Sequence, residues 1–208
     1  MFICFRLQFL QLQRNIRNTC VLQNLLPISS SFNLYLSTAA KIIDIKDENN
    51  RVLFLGNDNF SVSCLRAVEE VVHSKKCLTV VVSNPSNILG KYAAKNSINT
   101  FLWEDLKSKD NSDVFDIGIV ASFGHLIPKR IIEKCQLGIL NVHGSLLPKY
   151  RGAAPISRAI CNGDTETGVS IMKIAPHKFD VGPVLIRRKC KIHPHVRSPE
   201  LTEIMAEA

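Results

Sequence analysis

Arg51-Val52-Leu53-Phe54-Leu55-Gly56 carries four consecutive apolar residues and ends in glycine. No polar residue alternates with them, so both faces of the segment must be covered. A strand inside a parallel sheet meets that requirement. Residues 60–74 follow, with Val62, Leu65, Val68 and Val72 at helical spacing. Leu78–Ser83 reads as a second strand, 84–87 as a loop, and Leu89–Lys95 as a short helix. Thr100–Trp103 and Phe115–Ser122 predict a third and fourth strand. A turn at Gly124 and a helix from about Pro128 to Lys134 come next, then a fifth strand, Gly138–His143. Strand and helix in alternation predict an α/β fold, a Rossmann-like open, mostly parallel sheet with helices on both faces. Beyond residue 164 the pattern changes. Thr167–Ile174 and Val184–Ile192 are two strands joined by a loop around Asp180, and Ser198-Pro199-Glu200 opens a helix with a cap residue, a first-turn proline and an acid.

The first strand-to-helix turn, Gly56-Asn57-Asp58-Asn59-Phe60, holds a single glycine. It therefore lacks the Gly-x-Gly-x-x-Gly dinucleotide fingerprint, and no Walker A pattern occurs elsewhere. The chemistry is expected at the carboxyl end of the fifth strand, where ligands of open parallel sheets bind. Asn141 and His143 alternate with Val142, so their side chains share a face, roughly 6–7 Å apart at the backbone. The loop Gly144–Pro155 follows, with Leu146 and Leu147 as an apolar wall. A sheet that continues beside the fifth strand would bring Asp180 to the same rim. An amide, an imidazole and a carboxylate suit acyl transfer to an amine, which needs hydrogen-bond donors for a developing oxyanion and a route for the amine proton. Asn141 can donate through its NH₂. His143 can donate if a carboxylate keeps it protonated, and Asp180 can supply that pairing or take the proton through a water. Alone, Asn-x-His is a weak signal, because a strand-end histidine is more often structural.

Charge and composition place limits on the rest. The 208 residues carry a net charge of +8. Arg6, Arg14, Arg17 and Lys41 lie in residues 1–43, which contain no acid. Without them the body is only mildly basic, which fits an anionic partner without requiring one. Basic, acid-free and mixed apolar with Gln and Ser, residues 1–43 read as a mitochondrial presequence; a disordered tail without a targeting role is the alternative. A secretory core is excluded by Gln8, Gln11, Gln13 and Arg14. No stretch reaches the ~18 apolar residues of a membrane span. The seven cysteines form no Cys-x-x-Cys pair and agree with a reducing compartment. Most read as small core residues, with Cys190 the exception between Lys189 and Lys191. His193 and His195 flank Pro194 without a nearby ligand partner, so no metal is expected.

Asn141-Val-His-Gly-Ser-Leu-Leu-Pro-Lys-Tyr-Arg-Gly-Ala-Ala-Pro155 resembles the signature of the methionyl-tRNA formyltransferases, within the folate-dependent formyltransferase superfamily. Val52–Gly56, Ala121-Ser-Phe-Gly124, Gly163–Met172 and Phe179-Asp-Val-Gly182 extend the resemblance over about residues 50–208. Glycinamide ribonucleotide transformylase and the hydrolase domain of formyltetrahydrofolate dehydrogenase typically have proline at the position of Gly144 and lack the Arg-Gly-Ala-Ala-Pro continuation.

The resemblance implies a formyltransferase fold and roles for individual residues. Asn141, His143 and Asp180 match the catalytic trio. Ser145, Leu146, Leu147 and Pro148 match the stretch that lines the tetrahydrofolate site, and Phe123, Gly124, His125, Leu126 and Ile127 the segment near the pteridine pocket. Lys149 and Arg151 are candidates for contact with tRNA phosphates, against a reading as solvated loop charges. The implied reaction moves a formyl group from 10-formyltetrahydrofolate to the methionine amino group of initiator methionyl-tRNA, in translation initiation in the mitochondrial matrix. A monomer with folate and tRNA as partners, and no membrane, is expected. Asn84–Lys91 is shorter than the basic loop that bacterial members insert at the tRNA acceptor end; this and Phe-Asp-Val-Gly resemble the mitochondrial form. The family also carries a basic β-barrel domain after a linker. On that comparison residues 50–208 are a catalytic domain incomplete at its C-terminal end, without the barrel. Two alternatives stay open: a folate-dependent formyltransferase or hydrolase acting on a small molecule, and an inactive truncated form that binds folate or RNA.

Overall fold

The computed structural model describes residues 50–72, 74–108, 112–176 and 178–207. The expected presequence, residues 1–43, lies outside them. Within them run β1 (Val52–Gly56), α1 (Asn59–Glu69), β2 (Leu78–Val82), α2 (Ile88–Lys95), β3 (Asn99–Leu102), α3 (Trp103–Ser108) and β4 (Ile117–Ala121). Then come α4 (Lys129–Ile132), β5 (Ile139–His143), α5 (Pro155–Cys161), β6 (Glu166–Lys173), β7 (Val184–Lys191) and α6 (Ser198–Glu207). The seven strands form one sheet in the order β3-β2-β1-β4-β5-β6-β7. Pairing is parallel from β3 to β5 and antiparallel from β5 through β6 to β7. This is the open, mostly parallel α/β sheet that the alternation predicts.

Burial explains why the central strands show no polar alternation. β1, β2 and β4 are buried at every residue. Val52 and Phe54 face a cluster built with Phe60, Leu65 and Val68 of α1, Leu89 of α2 and Leu201 of α6. Leu53 and Leu55 face the opposite cluster, with Trp103 and Leu106 of α3, Phe123, and Ile131 of α4. Each such side chain contributes roughly 1.5–3 kcal/mol on burial. Gly56 is required by close packing: a Cβ there would collide with the Cβ of Ser61 and come 2.9 Å from the Ala121 carbonyl. Asp58 caps α1, its side chain accepting from Ser61 N at 2.9 Å while Ser61 Oγ accepts from Asp58 N at 2.9 Å.

Several boundaries differ from the sequence expectation. The helix read over 60–74 stops at Glu69, and Lys75–Cys77 form a 3₁₀ turn capped by Ser74. Val72 keeps the helical spacing because it is buried, without being helical. Trp103 opens α3 and does not end β3. Phe115 lies outside β4 and makes an isolated bridge to Cys135. α4 is shorter than Pro128–Lys134. α3 and α5 were not foreseen. Cys64, Cys77 and Cys135 are buried as expected, but Cys161 is exposed at the end of α5. Cys190, marked by its lysine neighbours as the exception, packs against the core instead. Alternation along β7 turns it inward while Lys189 and Lys191 face out.

Candidate functional site

The carboxyl ends of β4 and β5 open onto a cavity of about 740 Å³. Val120 and residues 122–127 form one wall, Asn141–Gly144 the floor, and Gly152–Ser157 a second wall. The β6–β7 loop contributes Ile174, Ala175 and Lys178–Asp180. The antiparallel turn of the sheet assembles the trio. β6 runs antiparallel beside β5, with Lys173 opposite Leu140, so it leaves at the amino end of β5 and the loop that follows folds back to bring Asp180 onto Asn141. Asp180 adopts φ +51°, a left-handed conformation that Asp tolerates better than most residues.

The three side chains form one connected set. Asn141 Nδ2 donates to Asp180 Oδ1 at 2.8 Å, and Gly152 N donates to Asp180 Oδ2 at 2.7 Å. His143 Nδ1 lies 3.6 Å from Asp180 Oδ2, with both side chains 7% exposed. The other ring nitrogen, Nε2, is 3.0 Å from the Tyr150 carbonyl. A carbonyl only accepts, so Nε2 carries a proton and Nδ1 is the nitrogen free to gain or lose one. Asn141 keeps a second N–H after bonding Asp180. Asn141 therefore presents an open donor, and the His143–Asp180 pair an acceptor system. The expectation that His143 donates to an oxyanion meets a geometry in which its Nε2–H is already engaged.

Phe123, Gly124, His125, Leu126 and Ile127 all line the cavity. Their loop is tied down by Asn57, whose Nδ2 donates to the Phe123 carbonyl at 2.6 Å and to Ser83 Oγ at 2.9 Å. Ser83 Oγ in turn meets His125 Nε2 at 2.7 Å, and His125 stacks on Trp103. Ser145, Leu146, Leu147 and Pro148 are not among the lining residues. Ser145 is fully buried, its hydroxyl donating to the Lys149 carbonyl. Leu147 is buried, with its N–H donated to Ser170 Oγ and its carbonyl accepting from Arg187 Nε at 2.9 Å. These residues brace the loop in this arrangement. Lys149 and Arg151 also lie off the cavity; Lys149 Nζ is 2.7 Å from Asp164 Oδ2. Asp58, Phe60, Ser122, Lys178 and Phe179 line the cavity without having been named as candidate site residues, although Ser122 and Phe179 fall within the quoted motifs. For Asp58, Phe60 and Ser122 the signal was positional, since each lies in a loop or helix start at a carboxyl end of the sheet; Lys178 and Phe179 arrive on the loop that folds back after β6.

A carboxylate, an imidazole and an amide gathered at the carboxyl edge of a parallel sheet define a group-transfer site in an α/β protein. The chain belongs to the formyl transferase family, whose model matches residues 50–208. A mitochondrial methionyl-tRNA formyltransferase of Bos taurus is 39% identical over 165 residues, covering 75% of this chain and 41% of that protein. A methionyl-tRNA formyltransferase of Chelativorans sp. (strain BNC1) is 34% identical over 172 residues, covering 74% of this chain and 54% of that protein. The chain thus spans about half or less of the length of these relatives. Among solved structures, a phosphoribosylglycinamide formyltransferase from Bacillus halodurans superposes with a TM-score of 0.60 at 17% identity, over 75% of this chain and 87% of that one. WlaRD, a sugar 3N-formyl transferase, superposes with a TM-score of 0.56 at 18% identity, over 76% of this chain and 58% of that one. At these identities the structural likeness is one of fold.

Proposed function

We propose that this chain carries the catalytic site of a methionyl-tRNA formyltransferase, using 10-formyltetrahydrofolate to formylate the methionine amino group of initiator tRNA in the mitochondrial matrix. The observation that carries this reading is the Asn141–His143–Asp180 set on the cavity floor, in a chain 39% identical to a mitochondrial protein of that name. The cavity fits a folate-sized donor: about 740 Å³ falls within the ~300–1,000 Å³ of small-molecule sites. Val120, Phe123, Ile127 and Val142 offer apolar walls, and the backbone of residues 122–127 offers polar edges.

Each residue then has a task. The free N–H of Asn141 faces the oxygen on which charge develops as the amine attacks. The His143–Asp180 pair accepts the proton the amine loses, with Nδ1 as the exchanging nitrogen, and that proton passes to N10 of tetrahydrofolate as its bond to the formyl carbon breaks. The attacking group is itself an amine, so no covalent nucleophile of the protein is needed. Such an amine has a pKa near ~7–8, leaving a useful neutral fraction at working pH.

Charge distribution supports an anionic acceptor substrate. Residues 145–191 hold nine Lys and Arg against three Asp and Glu, a net +6 that equals the whole net charge of residues 50–208. Ser170 pairs with both His143 and Arg187, so those two side chains share a face, and Lys189 and Lys191 continue it. Arg151 is exposed in the loop after β5. Lys189 is paired with Glu166 at 2.8 Å and Lys149 with Asp164 at 2.7 Å, so each meets an anion only by leaving its carboxylate.

The test incubates the chain with 10-formyltetrahydrofolate and either charged initiator tRNA or small amines such as glycinamide ribonucleotide. Formylmethionyl-tRNA as the product supports the reading. Formylation of the small amine alone replaces it with the small-molecule alternative. Folate binding without any product identifies a non-catalytic form.

A further inference from the structure

The imidazole of His143 is set by a backbone group, the Tyr150 carbonyl, 3.0 Å from Nε2. Tyr150 holds that carbonyl in place from a left-handed conformation, φ +57°, which a bulky side chain seldom adopts. Such a conformation persists where the surroundings over-determine it. The surroundings here are polar and lie away from the cavity. Tyr150 Oη donates to Asp164 Oδ2 at 2.8 Å and accepts from Asn162 Nδ2 at 2.9 Å. Lys149 Nζ reaches the same carboxylate oxygen at 2.7 Å and sits 4.9 Å from the Tyr150 ring centroid; Arg158 Cζ sits 5.0 Å from it. Arg158 Nη1 also donates to the Arg151 carbonyl at 2.8 Å. The backbone from Lys149 to Gly152 is thus captured group by group. The Lys149 carbonyl goes to Ser145, Tyr150 to His143 and Arg151 to Arg158, and the Gly152 N–H goes to Asp180.

We infer that Asp164 is a positioning residue: through the Tyr150 hydroxyl it locks the Tyr150 carbonyl against His143 Nε2, and so fixes Nδ1, facing Asp180, as the nitrogen that exchanges the proton. Asp164 touches neither the cavity nor the trio. It lies in the turn between α5 and β6, where the Lys149 ammonium and then the Tyr150 hydroxyl hold its carboxyl below the usual range. The anchor therefore remains a carboxylate at working pH. Lys149 acquires a second role, as a strut that competes with its assignment to tRNA.

The kinetic part of this inference rests on the formyl-transfer reading; the structural part does not. The test compares the full chain with Tyr150→Phe, which keeps the ring, and with Asp164→Ala and Asp164→Asn. Imidazole nitrogen NMR reads the His143 tautomer across pH, and formyl transfer reads turnover where the chain is active. The expected result is a wild-type His143 protonated at Nε2 throughout. Tyr150→Phe and Asp164→Ala should then populate the other tautomer, and Asp164→Asn, which can still accept from the hydroxyl, should restore part of the wild-type spectrum. Turnover should fall about ten- to hundredfold, as for slight misplacement of a reacting group, with donor KM little changed. An unchanged His143 spectrum in folded Tyr150→Phe would overturn the inference. A tautomer shift in Tyr150→Phe, alongside a wild-type chain that stays protonated at Nε2 but formylates nothing, would uphold the inference and refute the formyl-transfer reading alone.

Discussion

Replacing Asp180 by asparagine separates its chemical task from its structural one. The two carboxylate oxygens accept from Asn141 Nδ2 at 2.8 Å and from Gly152 N at 2.7 Å. An asparagine offers one oxygen and one NH₂, so it keeps one of these bonds and sets a donor against a donor at the other. Hydrogen bonds to a charged group contribute about 1.5–3 kcal/mol each. The φ of +51° adds no cost, because asparagine enters the left-handed region readily. Asp180→Asn should therefore destabilise the fold by about 2–3 kcal/mol from the lost bond and the opposed donors. For a domain of about 150–250 residues that lowers Tm by roughly 4–12 °C. Asp180→Ala loses both bonds and adds about 1–2 kcal/mol for an alanine in the left-handed region, so it should be the less stable variant. The chemical loss is larger. A neutral amide cannot stabilise the imidazolium that forms when His143 Nδ1 takes the proton, so turnover should drop by about 10²–10⁴, the usual worth of general base catalysis. Thermal unfolding and single-turnover formyl transfer, with folate binding as the control, measure the two effects. A folded Asp180→Asn that turns over at the wild-type rate refutes the assignment of the trio, and an alanine variant more stable than the asparagine one refutes the account of the loop.

Further outcomes follow from titratable groups. Among the described cysteines, Cys161 is exposed, whereas burial raises the thiol of Cys64 and pushes that of Cys135 up to about 12. Cys161 should react first with a thiol reagent at pH 8, followed by mass mapping; prior labelling of Cys135 in folded protein would contradict the core packing. A Cys135 thiol raised in the fold contributes stability below its unfolded pKa of about 8.5, and loses that contribution as pH rises toward about 12. Asp164 has the opposite sign. Its carboxyl is lowered by Lys149 and Tyr150, so its contribution is complete above the ordinary aspartate pKa of about 3.9 and is lost as pH falls through the lower folded value. Lys149→Met should raise the pH of acid unfolding slightly, since the pair is exposed; no shift relative to wild type would show that the ion pair contributes nothing.

The sheet was legible because its inner strands are covered on both faces. Val52–Leu55 had to be a continuous apolar run and Leu78–Val82 nearly one, interrupted only by the buried Thr79, and such runs mark buried strands. The first three-dimensional relation within the site, Asn141 beside His143, was legible too, because alternation along a strand is a local property. α3 and α5 were not. They have six and seven residues, too short to be specified by their own propensity, and they form because Trp103, Leu106, Ile156 and Ile160 pack onto the sheet.

Sequence alone determined the strand ends that hold the amide and the imidazole, and through a long local motif it indicated the chemistry they serve. Tertiary structure decided what those groups face. Asp180 reaches Asn141 across 39 positions only because β6 turns back antiparallel beside β5. Tyr150 meets His143 through a backbone carbonyl, a group that every residue carries and that leaves no mark in a sequence. The side chain that anchors that carbonyl, Asp164, lies 14 positions further along the chain, in a different turn. Periodicity records which face a side chain takes; it does not record which distant backbone atom waits there, because that depends on how the loops cross the sheet edge.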